Sequence, residues 1–300
     1  MSHHRPYRGR FAPSPSGPLH FGSLVAATAS YLESRSQGGE WFLRIDDIDE
    51  PRTVPGADQH IIQTLQQFGF EWQGEIIYQS HSKKNYQDAL QQLIEKNLIY
   101  ACTCSRQQIR QNARQGAFGY IYAGDCRDKN VNTNDAALRL RTNPQTILFD
   151  DLILGRQQQQ LEQEVGDFIV RRRDSLFAYQ LAIVVDDEKQ GISDIIRGAD
   201  LLDSTARQIY LQQQLGYHTP RYAHLPLAMH PNGGKLSKIT AAPAINPQQA
   251  SRELFKALDF LGQKPPPESQ QSDLNSLWSW AINNWSRQKI PAKKAIIVSA

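Results

Sequence analysis

The sequence predicts an α/β fold built around a parallel β-sheet. Strand-like and helix-like segments alternate between residues 8 and 98, and apolar segments of the same kind return after residue 175. Alternation of this kind favours parallel strands joined by crossover helices. The chain has 300 residues, of which 40% are hydrophobic and 21% charged, so it can bury the cores of about two domains.

Composition excludes several classes of protein. The 33 basic and 30 acidic residues give a net charge of +3, so a nucleic-acid partner would have to be attracted by a local basic patch. No apolar run reaches the ~20 residues of a membrane helix, and residues 1–9 lack the apolar segment of a secretory signal. The three cysteines all lie between Cys102 and Cys126, which argues against a disulfide framework and favours a reduced, cytoplasmic setting.

The individual elements follow from periodicity and from helix breakers. The first half predicts a strand over Arg8–Ala12, a loop rich in proline, a helix over Ser23–Arg35, a strand over Trp41–Ile45, and helices over Gly56–Phe68 and Ser82–Leu98. The second half predicts apolar runs over Phe177–Val185 and Ile192–Ile196, a helix over Leu201–Leu215 stopped by Gly216, a helix over Pro247–Leu261 capped by Asn246 and stopped by Gly262, a hinge at Pro265–Pro267, and a core helix over Leu277–Trp285.

The pattern changes between about Tyr100 and Asp174, where short strand-like runs and the glutamine tract at 157–160 replace the alternation. This segment is predicted to be an insertion. The expected domains are a catalytic domain over 5–100 and 175–240, an inserted subdomain over 101–174, and a helical C-terminal region over 241–300.

Residues 18–23, Pro-Leu-His-Phe-Gly-Ser, lie at a predicted junction between a loop and a helix. The free N–H groups and the positive dipole end of a helix start suit a phosphate. Gly22 permits close approach of a nucleotide, and His20 could donate a hydrogen bond to a phosphate oxygen as negative charge builds there. Taken alone, the pattern is more typical of an ordinary loop histidine and turn glycine.

Residues 233–238, Gly-Gly-Lys-Leu-Ser-Lys, form a second motif. Lys235 and Lys238 on a glycine-rich loop could close on a polyphosphate and neutralise the departing pyrophosphate. Alone, such a loop is typical of a solvated basic turn. The two motifs in this order on an α/β chain are more specific than either one.

The two motifs resemble the "HIGH" and "KMSKS" signatures of class I aminoacyl-tRNA synthetases. The words Arg-Phe-Ala-Pro-Ser at 10–14, Arg-Ile-Asp-Asp-Ile-Asp at 44–49, Arg-Arg-Arg-Asp at 171–174, Phe-Ala-Tyr-Gln-Leu at 177–181 and Arg-Gly-Ala-Asp at 197–200 are similar to the glutamyl-tRNA synthetase lineage. The resemblance covers residues 8–240, and no anticodon-binding domain is expected in residues 241–300. This short form resembles the glutamyl-Q tRNA(Asp) synthetase family, which implies a Rossmann-like catalytic sheet interrupted by a zinc-bearing insertion.

The resemblance implies the following site. Glutamate would be bound by Arg10, Phe11, Ala12, Pro13, Ser14, Asp46, Tyr179 and Arg197, ATP by His20, Gly22, Ser23 and Lys238, and catalysis would fall to His20, Lys235 and Lys238. The residue types are consistent with this, because two arginines and one carboxylate complement the two carboxylates and one ammonium of glutamate. Glutamine would leave arginine donors poorly paired. Which arginine binds which carboxylate stays open.

One position departs from the family pattern. The family usually has glutamate where this chain has Asp46. Aspartate is one methylene shorter, so the contact with the substrate ammonium must be re-spaced or bridged by water. The lysine motif also ends differently, in Ile239, but both of its lysines are retained.

Cys102, Cys104 and Cys126 are close enough in sequence to share a metal ion, and from the residues alone a metal site and free thiols are both open. The resemblance implies one structural Zn²⁺ held by the three cysteines and by Tyr122. A phenolate is an unusual ligand, and zinc would have to lower its pKa.

The resemblance implies ATP-dependent activation of L-glutamate, with Mg²⁺, and its transfer to the queuosine base in the anticodon loop of aspartate tRNA. A monomer without a membrane partner is expected, and the basic run Arg171–Arg173 could contact tRNA phosphates. Three alternatives are a truncated glutamyl-tRNA synthetase that charges a tRNA 3′ end, a tRNA-binding paralogue that has lost catalysis, and a nucleotidyltransferase of the cytidylyltransferase type.

Overall fold

The structure is a computed structural model that describes residues 6–116, 119–129, 131, 135–229 and 243–298. Its strands are β1 Arg8–Phe11, β2 Glu40–Ile45, β3 Ile77–Tyr78, β4 Ile99–Cys102, β5 Arg114–Gly116, β6 Gly119–Ile121, β7 Ala137–Leu140, β8 Thr146–Asp151, β9 Gly155–Gln160, β10 Phe168–Arg171, β11 Asp194–Gly198, β12 Arg221–Leu225, β13 Leu227–Met229 and β14 Ala295–Ile297. Its helices are α1 Phe21–Ser36, α2 Ala57–Gln67, α3 Lys83–Glu95, α4 Arg106–Asn112, α5 Leu161–Glu164, α6 Tyr179–Lys189, α7 Leu202–Leu215, α8 Ala250–Phe260 and α9 Leu274–Asn284.

The central strands pair in parallel, which confirms the predicted fold class. β2 lies between β1 and β3, and β11 pairs with β12 in a register that sets Arg197 opposite His224. The two groups of strands meet where the Ser193 N–H donates to the Arg8 carbonyl oxygen at 3.0 Å. The carboxyl ends of β1, β2, β11 and β12 therefore share one edge, where ligands bind in open parallel sheets.

Helix α1 is buried along most of its length because it packs on the sheet through one face and on α8 and α9 through the other. Tyr31 of α1 meets Trp41 of β2 at 5.2 Å and Trp278 of α9 at 5.0 Å between ring centroids. The Trp278 indole N–H donates to the Phe68 carbonyl oxygen at 2.8 Å. The tryptophan-rich helix α9 is thus a core helix, as predicted. Helices α8 and α9 pack in the same hydrophobic core as α1, although Pro265–Pro267 lies between them.

The segment predicted as an insertion interrupts the parallel sheet. β4, β7 and β10 form an antiparallel sheet, and β5–β6 and β8–β9 form antiparallel pairs. The end of β8 returns to the parallel sheet, where the Leu152 N–H donates to the Tyr222 carbonyl oxygen at 2.8 Å. The exact domain bounds stay a prediction.

The apolar run after residue 177, whose element type the sequence left open, forms helix α6. Two details differ from the expectations. The helix expected from Pro247 begins with a 3₁₀ turn before α8. The Asn246 side chain caps that turn by accepting from the Gln248 N–H at 3.0 Å, as its sequence position indicated. The C-terminal region also contributes a strand, β14, which pairs in parallel with β13. Within the described residues, no helix is long and apolar enough to cross a membrane.

Candidate active site

A cavity of about 720 Å³ opens at the carboxyl edge of the parallel sheet. This volume suits a small-molecule substrate. All described residues that the sequence assigned to glutamate and ATP line it, namely Arg10, Phe11, Ala12, Pro13, Ser14, His20, Gly22, Ser23, Asp46, Tyr179 and Arg197. The backbone holds two of these segments together, since the Asp46 N–H donates to the Pro13 carbonyl oxygen at 3.0 Å.

Helix α1 begins at this cavity and His20 is its N-cap. The His20 Nδ1 accepts from the Ser23 N–H at 3.3 Å. A neutral ring that accepts at Nδ1 carries its hydrogen on Nε2, so His20 can donate from Nε2. Gly22 and Ser23 occupy the first turn of α1. The Ser23 N–H is already bound by His20, so the attraction of this turn for an anion comes from the positive dipole end of the helix.

Arg197 enters the cavity from β11 and is 4% exposed. Its Nε donates to the His224 Nε2 at 3.1 Å, and its Nη2 donates to the Thr205 hydroxyl at 2.8 Å. Its remaining nitrogen, Nη1, is buried and has no hydrogen-bond partner in the described structure. A buried donor without a partner is costly, so Nη1 is suited to bind a carboxylate of the substrate.

Arg10 is also in the cavity wall, but its guanidinium already has a carboxylate partner. Its Nε and Nη2 donate to the two oxygens of Asp187 at 3.1 and 3.3 Å. Asp187 also accepts from the fully buried Arg44, through Nη1 at 2.8 Å. These two cations lower the pKa of Asp187 against the opposing effect of its burial. Arg10 therefore meets a substrate with its charge largely balanced.

Asp46 follows β2 and accepts from the Arg44 Nε at 2.8 Å. Burial raises the pKa of Asp46 to about 6, and Arg44 limits the rise. A substrate ammonium at this carboxylate would favour its ionised form. Asp46 is thus suited to the role that the sequence assigned to it.

This pKa predicts a pH dependence of glutamate binding. Protonation removes the negative charge of Asp46, so KM for glutamate is expected to rise as the pH falls through about 6. Glutamate-dependent ATP–pyrophosphate exchange, followed at pH values from about 5 to 8, measures this KM. An Asp46→Asn variant should show a higher KM without the inflection; an inflection of the same size in that variant would assign the pH dependence to another group.

Lys235 and Lys238, the remaining predicted catalytic residues, lie outside the described residues. The described residues on either side of their segment lie at the cavity. Ala228 lines it, and Ala244 forms an antiparallel bridge with His20.

The three cysteines converge in the inserted segment. The sulfurs of Cys102, Cys104 and Cys126 all lie within 4.8 Å of one another, and the Tyr122 hydroxyl lies 3.3 Å from the Cys102 sulfur and 3.6 Å from the Cys104 sulfur. Sulfurs that share a tetrahedral zinc are about 3.8 Å apart, so the predicted donor set fits Zn²⁺. The Arg139 guanidinium lies 3.8 Å from the Tyr122 ring centroid, but burial raises the pKa of the Tyr122 hydroxyl, so a bound zinc would itself have to ionise it.

Comparisons with known proteins agree with this geometry. Residues 7–253 match the family of class I tRNA synthetases (E and Q), catalytic domain. A glutamate tRNA ligase from Elizabethkingia meningosepticum, solved in complex with its amino acid, has a TM-score of 0.80 at 22% identity over 99% of this chain and 68% of that chain, which shows the fold. Fold and sequence thus define a class I synthetase catalytic domain.

Full-length relatives identify the branch. The glutamyl-Q tRNA(Asp) synthetase of Dechloromonas aromatica is 50% identical over 98% of this chain and 99% of its own. That of Pseudomonas aeruginosa strain PAO1 is 50% identical over 95% of each chain. The chain belongs to the glutamyl-Q tRNA(Asp) synthetase family.

The residues that bind the two pocket arginines were not predicted from the sequence. Asp187, Thr205 and His224 carry no motif, yet they bind the two pocket arginines. The sequence did contain one indication of the role of Asp187. Asp186 and Asp187 directly follow the apolar run 181–185. Carboxylates that continue an apolar helix face are buried and need cationic partners.

Proposed function

We propose that this chain activates L-glutamate with ATP and transfers it to the queuosine base in the anticodon loop of aspartate tRNA. The proposal rests above all on one observation: a single cavity holds an open Arg197 donor, the Asp46 carboxylate and the start of helix α1. These groups complement a carboxylate, an ammonium and a phosphate chain respectively. The named function of the full-length relatives supports the same reaction.

In the first step, an oxygen of the glutamate α-carboxylate attacks the α-phosphorus of ATP. A new oxygen–phosphorus bond forms as the bond to the pyrophosphate oxygen breaks, which gives glutamyl-adenylate and pyrophosphate. His20 donates from Nε2 to the phosphate, and Lys235 and Lys238 neutralise the leaving pyrophosphate. In the second step, a cyclopentene hydroxyl of queuosine attacks the activated carbonyl and AMP leaves.

Mg²⁺ remains a prediction for the ATP-dependent step. Among the described residues, the three cysteines are the one cluster of side chains that could hold a metal ion. The prediction of Mg²⁺ is therefore not based on a carboxylate site of the protein. Magnesium usually keeps several waters and binds through substrate phosphates, which is how it would enter here. A cytoplasmic location and a monomeric state also remain predictions.

The decisive experiment is an acceptor test with radiolabelled glutamate. Aspartate tRNA that carries queuosine should be labelled, the same tRNA without queuosine should not, and glutamate tRNA should not. Label on the 3′ end of glutamate tRNA would favour the truncated glutamyl-tRNA synthetase instead. Absence of glutamate-dependent ATP–pyrophosphate exchange would favour a paralogue without catalysis.

If the zinc ion is structural, loss of a cysteine ligand should weaken stability and tRNA binding and leave glutamate binding nearly unchanged. Thr103, between two of the cysteines, accepts from the Arg173 guanidinium at 2.7 Å, and the adjacent Arg172 lines the cavity. A Cys104→Ser variant should therefore lose bound zinc, as measured by atomic emission, and show a lower Tm and a higher KM for tRNA. KM for glutamate in pyrophosphate exchange should change by less than about threefold, because Arg10 and Arg197 have no hydrogen bond to the cysteines or to Thr103 in the described structure. Zinc content equal to wild type would count against the ligand assignment.

A further inference from the structure

His224 contacts the pocket residue Arg197 on the side away from the cavity. The hydrogen-bond partners of its two ring nitrogens indicate its protonation state. Arg197 cannot act as an acceptor, so the His224 Nε2 must accept from the Arg197 Nε. The hydrogen of the neutral ring is then on Nδ1, which lies 2.6 Å from the Asp151 Oδ2. Burial and Arg197 lower the pKa of His224 against the effect of Asp151, so the ring stays neutral.

The two pocket arginines consequently differ in charge environment. Arg10 is paired directly with the Asp187 carboxylate. The described hydrogen-bond partners of Arg197 are all uncharged: the His224 ring, the Thr205 hydroxyl and the Leu201 carbonyl oxygen. A neutral imidazole therefore stands between the negative charge of Asp151 and the guanidinium of Arg197.

Asp151 comes from the inserted segment, at the end of β8. It is fixed there because its Oδ1 accepts from the backbone N–H groups of Ile153, Leu154 and His224 at 3.0, 2.8 and 3.2 Å. The Tyr222 ring stacks on His224 at 8° and lies 5.3 Å from the Arg197 guanidinium carbon. Asp151 from β8, His224 from β12 and Arg197 from β11 thus form a hydrogen-bonded chain with fixed geometry, which ends at the Arg197 Nη1.

We propose that His224 is a positioning residue that aims Arg197 into the pocket and, as an uncharged spacer, leaves the guanidinium charge available to the carboxylate of the substrate. This inference rests on the proposed glutamate activation. A carboxylate in place of the ring would pair with Arg197 as Asp187 pairs with Arg10. The inference places the side-chain carboxylate of glutamate at the Arg197 Nη1. With a neutral spacer, this carboxylate supplies the missing negative charge, and the uncharged side chain of glutamine does not.

Two amide substitutions separate positioning from structural support. In His224→Asn, the amide replaces the Nδ1 edge, so the bond to Asp151 survives and the bond to Arg197 is lost. In His224→Gln, the amide oxygen reaches the Nε2 position, so the bond to Arg197 survives. A Ser30→Ala variant is the matched control, because it removes a buried hydrogen bond, from the Trp41 Nε1 at 3.0 Å, outside the pocket.

The readout is ATP–pyrophosphate exchange by the full chain, with glutamate and with glutamine. His224→Asn should raise KM for glutamate by about tenfold and lower the preference for glutamate over glutamine, with KM for ATP within about twofold of wild type. His224→Gln should stay within about threefold of wild type for glutamate, even where its Tm is the lower of the two. Ser30→Ala should lower Tm alone.

A purely structural role predicts that KM for glutamate rises with each loss of Tm, in Ser30→Ala as well as in the two His224 variants. If KM for glutamate follows Tm across the three variants, or if His224→Asn and His224→Gln have equal KM, the inference is wrong. A wild-type chain without glutamate-dependent exchange would instead contradict the proposed function. Should either amide variant fail to fold, Thr205→Val tests the same guanidinium from its other side, and a KM for glutamate equal to wild type there would contradict the aiming of Arg197.

Discussion

An Arg197→Gln variant is expected to lose about a hundredfold or more in kcat/KM for glutamate in pyrophosphate exchange. The variant removes the guanidinium that offers a buried, unpaired donor to the cavity. In the variant, the substrate carboxylate loses its water without gaining a cationic partner at this position, and an uncompensated buried charge is strongly unfavourable. KM for ATP should change little, because the helix start and His20 are intact.

Two comparisons make this prediction specific. Arg197→Lys keeps the charge, but its single nitrogen cannot occupy the positions of Nε, Nη2 and Nη1 at once, so it should recover only part of the loss. Glutamine as substrate should lose much less than glutamate in Arg197→Gln, since it brings no carboxylate at its side-chain end. An equal loss for both amino acids would show that Arg197 binds the α-carboxylate or supports the pocket, and that it does not select for the charge of the side chain.

Much of the fold was predictable because its signals are local. The strand–loop–helix start, the alternation up to α3 and the stop of α7 at Gly216 each depend on residues close in sequence. Gly216 has φ of 73°, which glycine adopts without strain. The pairing of β13 with β14 and the return of β8 to the parallel sheet depend on contacts between distant segments, which periodicity does not contain.

The site residues also fall into two groups, those predictable from local sequence and those that depend on contacts between distant segments. Residues that touch a substrate lie in contiguous words, so the resemblance could assign Arg10, Asp46 and Arg197 before their positions were known. The supporting residues lie elsewhere, and their roles arise only when strands meet. Asp187 reaches Arg10 across 177 positions, and Asp151 reaches His224 across 73. Their identities follow from what a buried guanidinium needs, which is a folded-state requirement.

An Asp187→Asn variant is expected to lower the free energy of unfolding by about 3–5 kcal/mol at neutral pH. The amide has the same shape, but it leaves Arg10 and Arg44 buried with one negative charge fewer. This corresponds to a Tm lower by about 5–8 °C for a chain of this length, measured by differential scanning calorimetry. Because folding lowers the pKa of Asp187, its contribution is present above the ordinary aspartate range and is lost as the pH falls through the folded-state value. The Tm difference should therefore shrink in acid.

Asp46→Asn is the matched control, since Asp46 pairs with the same Arg44 guanidinium at the same 2.8 Å. Here folding raises the pKa to about 6, so the folded state holds a proton that the unfolded state has released, and stability falls as the pH rises from about 4 to 6. At neutral pH this variant should be as stable as wild type or more stable by on the order of 1–3 kcal/mol, while it binds glutamate poorly. A destabilisation as large as that of Asp187→Asn would contradict this division, in which Asp187 stabilises the fold and Asp46 keeps a costly charge for the substrate ammonium.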